Sequence, residues 1–175
     1  MSADLIITIA TKKDVDALEK LVNGAYRGEN SKKGWTTEAD LLGGIRTDAD
    51  ALLKMINRGD SIILKCSNSN NHLIGCVYLQ KQEERLYLGM LTVSPEVQAK
   101  GIGKKLLKAA EEYAQTQDCK AITMTVISLR KELINWYERH GYRQTGQRKP
   151  FPNDPRFGIQ KQPLEFIVME KEFSS

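Results

Sequence analysis

The stretch from Leu88 to Leu107 leaves the backbone few choices. An apolar, strand-like run ending in Leu91-Thr92-Val93 stops at Ser94-Pro95, because proline has no N–H to give to a ladder. A short turn follows, Gln98-Ala99-Lys100-Gly101-Ile102-Gly103, and leads straight into a helix with Leu106, Leu107, Ala110 and Ala114 at helical spacing. The two glycines let the turn be tight. The helix turns its free N–H groups and positive dipole end toward the turn, which makes an anion site with phosphate as the natural occupant. The same residues would also serve an ordinary strand–turn–helix in which the glycines only ease packing.

The rest of the chain is ordered around this unit. Leu5 to Ala10 is β-rich, and Thr11 can cap a helix over Lys12 to Val22 that ends near Gly24. Tyr26 to Trp35 is irregular and polar. Short helical pieces are expected over Glu38 to Leu42, ended by Gly43-Gly44, and over Asp48 to Asn57. Ser61 to Cys66 and Leu73 to Gln80 read as a hairpin about the turn cluster at 67–71, and Leu86 to Val93 follows the charged turn Lys81 to Arg85. After the helix from Gly103 to Gln115 comes a β-branched strand, Ala121 to Ile127, patterned for burial on both faces. Glu132 to His140 is a helix with Gly141 in the position after its cap, Tyr142 to Gln147 a strand, Lys149 to Gly158 a proline-rich loop, and Leu164 to Glu172 a last strand. This order implies a mixed α/β sheet flanked by helices, in a single domain over residues 1–175.

Composition narrows the class. Apolar residues at 41% and charged residues at 27% describe a globular protein with no run long enough to span a membrane. A formal charge of +4 suits an anionic ligand but lacks the clustered basic face of a nucleic-acid binder. Cys66, Cys76 and Cys119 have no metal-type spacing and sit in apolar segments, so they read as buried thiols and no metal is expected. The N-terminus lacks the basic region of a signal peptide, and a cytoplasmic location fits.

Two phosphate motifs fail on inspection. A P-loop would need glycine at Gln98 and Ser or Thr at Lys105; a dinucleotide fingerprint would need glycine at Leu106. The turn instead resembles the GNAT superfamily of acetyl-CoA-dependent N-acetyltransferases. Gln98-x-x-Gly101-x-Gly103 after a strand matches its Gln/Arg-x-x-Gly-x-Gly/Ala signature, and Trp136-Tyr137-Glu138-x-x-Gly141-Tyr142 looks like its C-terminal aromatic segment. The resemblance implies a central, mostly antiparallel mixed sheet with a V-shaped cleft between the fourth and fifth strands. It implies acetyl-CoA as cosubstrate, with Leu91, Thr92, Val93 and Gln98 to Lys104 (Gln98, Ala99, Lys100, Gly101, Ile102, Gly103, Lys104) along it.

By the same resemblance, Tyr137 is the acid that protonates the departing thiolate, and the N–H of Leu91 polarises the thioester carbonyl. Many relatives carry Asn seven residues before that tyrosine; here Arg130 stands there, available to a phosphate, an acidic substrate or Glu132. The place of the general base that some relatives carry falls on Tyr87, a poor base, which leaves a water relay as an alternative. The acceptor would be chosen by Tyr26 to Trp35, Arg46, the strand around Tyr87 and the loop Phe151 to Phe157, with Tyr26, Glu29, Trp35, Tyr87 and Phe151 as candidate contacts. The expected acceptor is a small or amino-acid-like primary amine. Protein or peptide acetylation and a silent acyl-CoA-binding module are the alternatives. A homodimer is allowed, and neither nucleic acid nor membrane is expected as a partner.

Overall fold

A computed structural model describes residues 5–27, 42–43, 46–152 and 158–173, with the backbone alone at 42–43 and 98–100. The strands are β1 (Ile6–Ile9), β2 (Leu42–Gly43), β3 (Ser61–Ser67), β4 (Leu73–Gln82), β5 (Arg85–Val93), β6 (Ala121–Ile127), β7 (Arg143–Pro150), β8 (Ile159–Gln160) and β9 (Glu165–Glu172). The helices are α1 (Val15–Tyr26), α2 (Ala49–Asn57), α3 (Ile102–Thr116) and α4 (Lys131–Arg139). Seven strands form one sheet in the order β1-β3-β4-β5-β6-β9-β7, and β2 pairs with β8 apart from it. Every pair in the sheet is antiparallel except β5 with β6. The sheet is therefore mixed and mostly antiparallel, as expected.

Alternation along the strands sends side chains to two clusters on opposite faces. Ile63, Cys76, Tyr78 and Met90 join α1 and α2 through Leu18, Val22, Tyr26 and Leu52. Leu64, Val77, Leu79, Leu88 and Leu91 join α3 and α4 through Ile102, Leu106, Leu107, Leu133 and Tyr137. Contact between α3 and β4 is close. A Cβ on Gly75 would come within 3.0 Å of Ile102 Cγ2, Leu106 Cδ1 and the Thr92 carbonyl.

Helix ends follow local chemistry. Thr11 and Asp14 form a capping box over a 3-10 turn at Lys12–Asp14, and Asp48 accepts the Ala51 N–H at 2.8 Å to start α2. Gly24 does not end α1, which runs on to Tyr26. Burial of Ala25 and Tyr26 against the sheet outweighs the helix cost of one glycine, about 1 kcal/mol. Leu42 lies in strand β2 rather than at a helix end, drawn there by pairing with Gln160. The rest of the expected piece, Glu38 to Leu41, is outside the described residues. The turn at Lys81 to Arg85 is tighter than expected: Gln82 and Arg85 pair directly, with Glu83 at φ 59. Strand β7 extends to Pro150 past an irregularity at Gly146, φ 92.

Strand β5 carries the irregularity that matters most. Leu86 and Leu88 face the α3 cluster, and strict alternation would send Met90 there as well. Instead Cys76 pairs with Thr92 and Tyr78 with Gly89, so Met90 and Leu91 together oppose Val77. This is a β-bulge, with Met90 in the left-handed region at φ 55. It turns Met90 to the α1 cluster and Leu91 to the α3 cluster. Among the described residues, the cross-strand partners of β5 and β6 are Arg85 with Ala121, Leu86 with Ile122 and Tyr87 with Thr123, although both strands continue beyond.

Candidate active site

Beyond Tyr87 and Thr123 a cavity of about 270 Å3 lies against both strands. Its walls include Tyr87 to Leu91 from β5, Met124 to Ile127 from β6, and Tyr26, Arg27, Arg46, Arg130, Leu133, Tyr137, Phe151, Pro152, Gly158 and Phe166. Tyr26 belongs to one core cluster and Tyr137 to the other, so the cavity draws on both faces of the sheet.

Tyr137 is 4% exposed and set edge-on to Trp136 and Tyr142. Burial pushes its hydroxyl well above the usual phenol range; the nearby Tyr26 phenol adds to this, and the Arg130 guanidinium opposes it. The side chain therefore stays protonated through neutral and mildly alkaline pH. Leu91 is 3% exposed, and its carbonyl accepts a hydrogen bond from the Tyr26 hydroxyl at 2.5 Å. That bond ties the end of α1 to the bulge. Tyr87 stands edge-on to Tyr78 with ring centres 6.4 Å apart. Space for it comes from Gly89, where a Cβ would meet the Tyr87 ring at 2.9 Å. The Phe151 ring lies 5.0 Å from that of Phe166.

Two guanidinium groups gather on Tyr26. Arg46 Cζ is 5.3 Å and Arg130 Cζ 5.9 Å from the centre of its ring. Arg46 is placed by Asn23 on α1: Asn23 Oδ1 accepts the N–H of Arg46 at 2.7 Å and of Thr47 at 3.0 Å, and Asn23 Nδ2 donates to the Thr47 carbonyl at 3.0 Å.

Of the residues expected at the site, the cavity brings together Tyr137, Leu91, Arg130, Tyr26, Tyr87 and Phe151. Thr92 and Val93 are fully buried and outside its lining; the Thr92 hydroxyl donates back to the Met90 carbonyl at 2.8 Å. The glycine turn is also outside the lining. Pro95–Lys100, which holds Gln98, Ala99 and Lys100, is a 3-10 turn, and Gly101 caps α3 at φ 70, with a Cβ there meeting nothing within 4 Å. Ile102 and Gly103 are buried and Lys104 and Lys105 exposed at the start of α3. Glu29 and Trp35 lie outside the described residues. Asn23, Phe166 and the strand Met124 to Ile127 contribute without having been singled out from the sequence. No motif marks Asn23, and β6 carries only the signature of a core strand.

The three cysteines are buried and free, and burial pushes the Cys76 thiol up to about 12. Among the described residues no group of three or more His, Cys, Asp or Glu side chains could hold a metal ion, and no helix is long and apolar enough to cross a membrane.

Comparison with known proteins agrees with this architecture. Residues 18–142 match the acetyltransferase (GNAT) family, and the chain belongs to it. Human N-acetyltransferase 8B is 24% identical over 123 residues, 67% of this chain and 53% of the human protein. The match thus spans about half the length of that relative. The uncharacterized N-acetyltransferase YhfO of Bacillus subtilis (strain 168) is 28% identical over 102 residues, 55% of this chain and 68% of that one. The fold is also that of PaiA N-acetyltransferase from Thermoplasma acidophilum in complex with coenzyme A. That structure has a TM-score of 0.68 and 19% identity, over 97% of this chain and 99% of that one.

Proposed function

We propose that the protein transfers the acetyl group of acetyl-CoA to the primary amine of a small, amino-acid-like acceptor by direct attack. Acetyl-CoA supplies an activated acyl group and a thiol that leaves readily once protonated. In the reading proposed, Gln98 to Lys104 holds the pyrophosphate with backbone N–H groups and the positive end of α3. The opening between β5 and β6 is the V-shaped cleft that admits the pantetheine arm. Leu91 directs its N–H at the thioester carbonyl, which gains negative charge as the amine attacks. A carbon–nitrogen bond forms and the carbon–sulfur bond breaks. Tyr137 gives its phenolic proton to the sulfur, and the acceptor nitrogen releases one to water.

The single observation that carries this reading is the convergence of Tyr137, from α4, and Leu91, from β5, on one cavity. The phenol of Tyr137 is protonated at neutral pH and so is loaded as a donor; burial, which pushes its pKa up, weakens it as an acid until the thiolate forms beside it. In this reading a water relay past Tyr87 takes the proton from the amine; no carboxylate lines the cavity among its described residues. The test is thiol release from acetyl-CoA over a panel of amines, with Tyr137→Phe beside the unaltered protein. That substitution should lower kcat about 10²- to 10⁴-fold and leave the Kd for CoA within about threefold. Unchanged kcat would remove the acid role. No thiol release with any acceptor, despite CoA binding, would sink the enzyme reading.

A further inference from the structure

The cavity lining has an unusual balance of charge. Among its described residues are three arginines, Arg27, Arg46 and Arg130, and no aspartate or glutamate. Arg27 is 5% exposed, so its guanidinium is part of the wall rather than a surface charge. Arg46 and Arg130 come from segments far apart in sequence, yet both lie within 6 Å of the Tyr26 ring centre. Arg46 is anchored through its backbone. Its own N–H and that of Thr47 donate to one Asn23 side-chain oxygen, so the backbone that carries it is fixed to α1 rather than left to a loose loop.

Such a lining bears on which amines the cavity would accept. A polyamine or other polycation would bring like charge against the Arg46 guanidinium. An amine that also carries a carboxylate offers the acceptor that guanidinium matches in geometry, two oxygens to a planar fork. The same charges assist the chemistry. Positive groups near an ammonium lower its pKa and enrich the neutral amine that must attack, in a cavity where no described residue is a carboxylate base. The rest of the wall, Leu88, Met124, Val126, Leu133 and Phe166, is apolar and suits an uncharged remainder of the acceptor.

We infer that the acceptor is an amine bearing a carboxylate, and that Arg46, seated on Tyr26 by Asn23, is the residue that selects it. The inference rests on the acetyltransferase reading above and deepens it. Arg46 could instead serve a phosphate of CoA, and the experiment separates the two roles.

Turnover would be compared for L-phenylalanine, L-methionine and L-lysine against their carboxamides, with spermidine as a polycation. Binding of N-acetyl-L-phenylalanine against its carboxamide would be measured by calorimetry, which needs no turnover. The acids should exceed the amides at least about tenfold in kcat/KM and in affinity, since a site built for an oxyanion is left unpaired by the neutral analogue. Arg46→Gln should collapse that ratio to within about threefold while the Kd for CoA stays within about threefold; Arg46→Lys, which keeps the charge and loses the fork, should retain part of it. Equal handling of acid and amide, a preference for spermidine, or an equal loss of CoA affinity in Arg46→Gln overturns the proposal. Absence of thiol release with every acceptor would sink the acetyltransferase reading alone. Calorimetry would then still decide the carboxylate preference, and failure to bind the acid better than the amide would overturn it.

Discussion

Two regions serve one reaction in the reading proposed, and they are built in opposite ways. The proposed donor side, from the end of β5 through the glycine turn into α3, is continuous in sequence: strand, Ser94-Pro95, turn and helix. The proposed acceptor side is assembled from Tyr26, Arg46, Tyr87, Arg130, Phe151 and Phe166, which reach the cavity from six separate segments. The first depends on backbone geometry, with Gly101 in a left-handed conformation at φ 70 and helix N–H groups behind it. The second depends on side chains held by other side chains, as Asn23 holds the backbone of Arg46 and Tyr26 reaches Leu91. A backbone site needs few residue identities and tolerates a changing neighbourhood. A side-chain site can be rebuilt for a new acceptor without disturbing the turn.

Core deletions on the two faces test this division with the largest stability effect. Leu106 on α3 and Leu52 on α2 are both fully buried, so either change to Ala should cost about 2–5 kcal/mol in denaturant unfolding. Their functional consequences should part. Leu106→Ala should weaken CoA binding, because α3 carries the turn; Leu52→Ala should raise KM for the acceptor and leave CoA binding within about threefold. Identical effects on both ligands would erase the distinction between the regions.

A smaller effect belongs to the join between them. Tyr26→Phe keeps the ring beneath Arg46 and Arg130 and removes the hydroxyl that donates to the Leu91 carbonyl. The loss should be about 1–2 kcal/mol in stability, for one buried hydrogen bond. If that bond holds the bulge in place, kcat should fall with little change in acceptor affinity. A rise in KM alone would assign Tyr26 to the acceptor wall and detach it from the proposed donor side.

The smallest effect is electrostatic and confined to the α1 face. Asp14 accepts from Lys65 Nζ at 2.8 Å and from the Thr11 N–H. Burial alone would raise its pKa, but the Lys65 and Thr11 contacts outweigh it and hold the carboxyl below its usual value. With the folded value depressed, the stabilisation is present above about pH 4 and lost as pH falls through the folded value. Asp14→Asn should cost under about 1 kcal/mol at pH 7, discounted for solvent screening, with the difference from the unaltered protein shrinking toward pH 3. A difference that persists at pH 3 would mean the capping geometry, not the charge pair, stabilises this corner.

Much of the architecture was legible because its causes are local. Proline ended β5 near the expected point, Thr11 and Asp48 opened their helices, and β-branched residues marked β6. The bulge also left a trace. Leu86 and Leu88 alternate in one phase and Leu91 and Val93 in the other, and the slip falls at Met90. Gly24 and Leu42 misled because tertiary partners overrode local preference: burial of Ala25 and Tyr26 carried α1 onward, and Gln160 drew Leu42 into a strand.

The sequence by itself determined the proportions of the fold, the strand–turn–helix unit and its likeness to an acetyltransferase. Each depends on residues close together in the chain, where steric limits and hydrogen-bond supply act directly. Only the tertiary structure decided that Arg27, Arg46 and Arg130 line one cavity with Tyr26 and Tyr137. Charge and aromatic side chains far apart in sequence carry no local signature. Their meeting follows from the order of strands in the sheet and from the packing of α1 and α4 on its two faces.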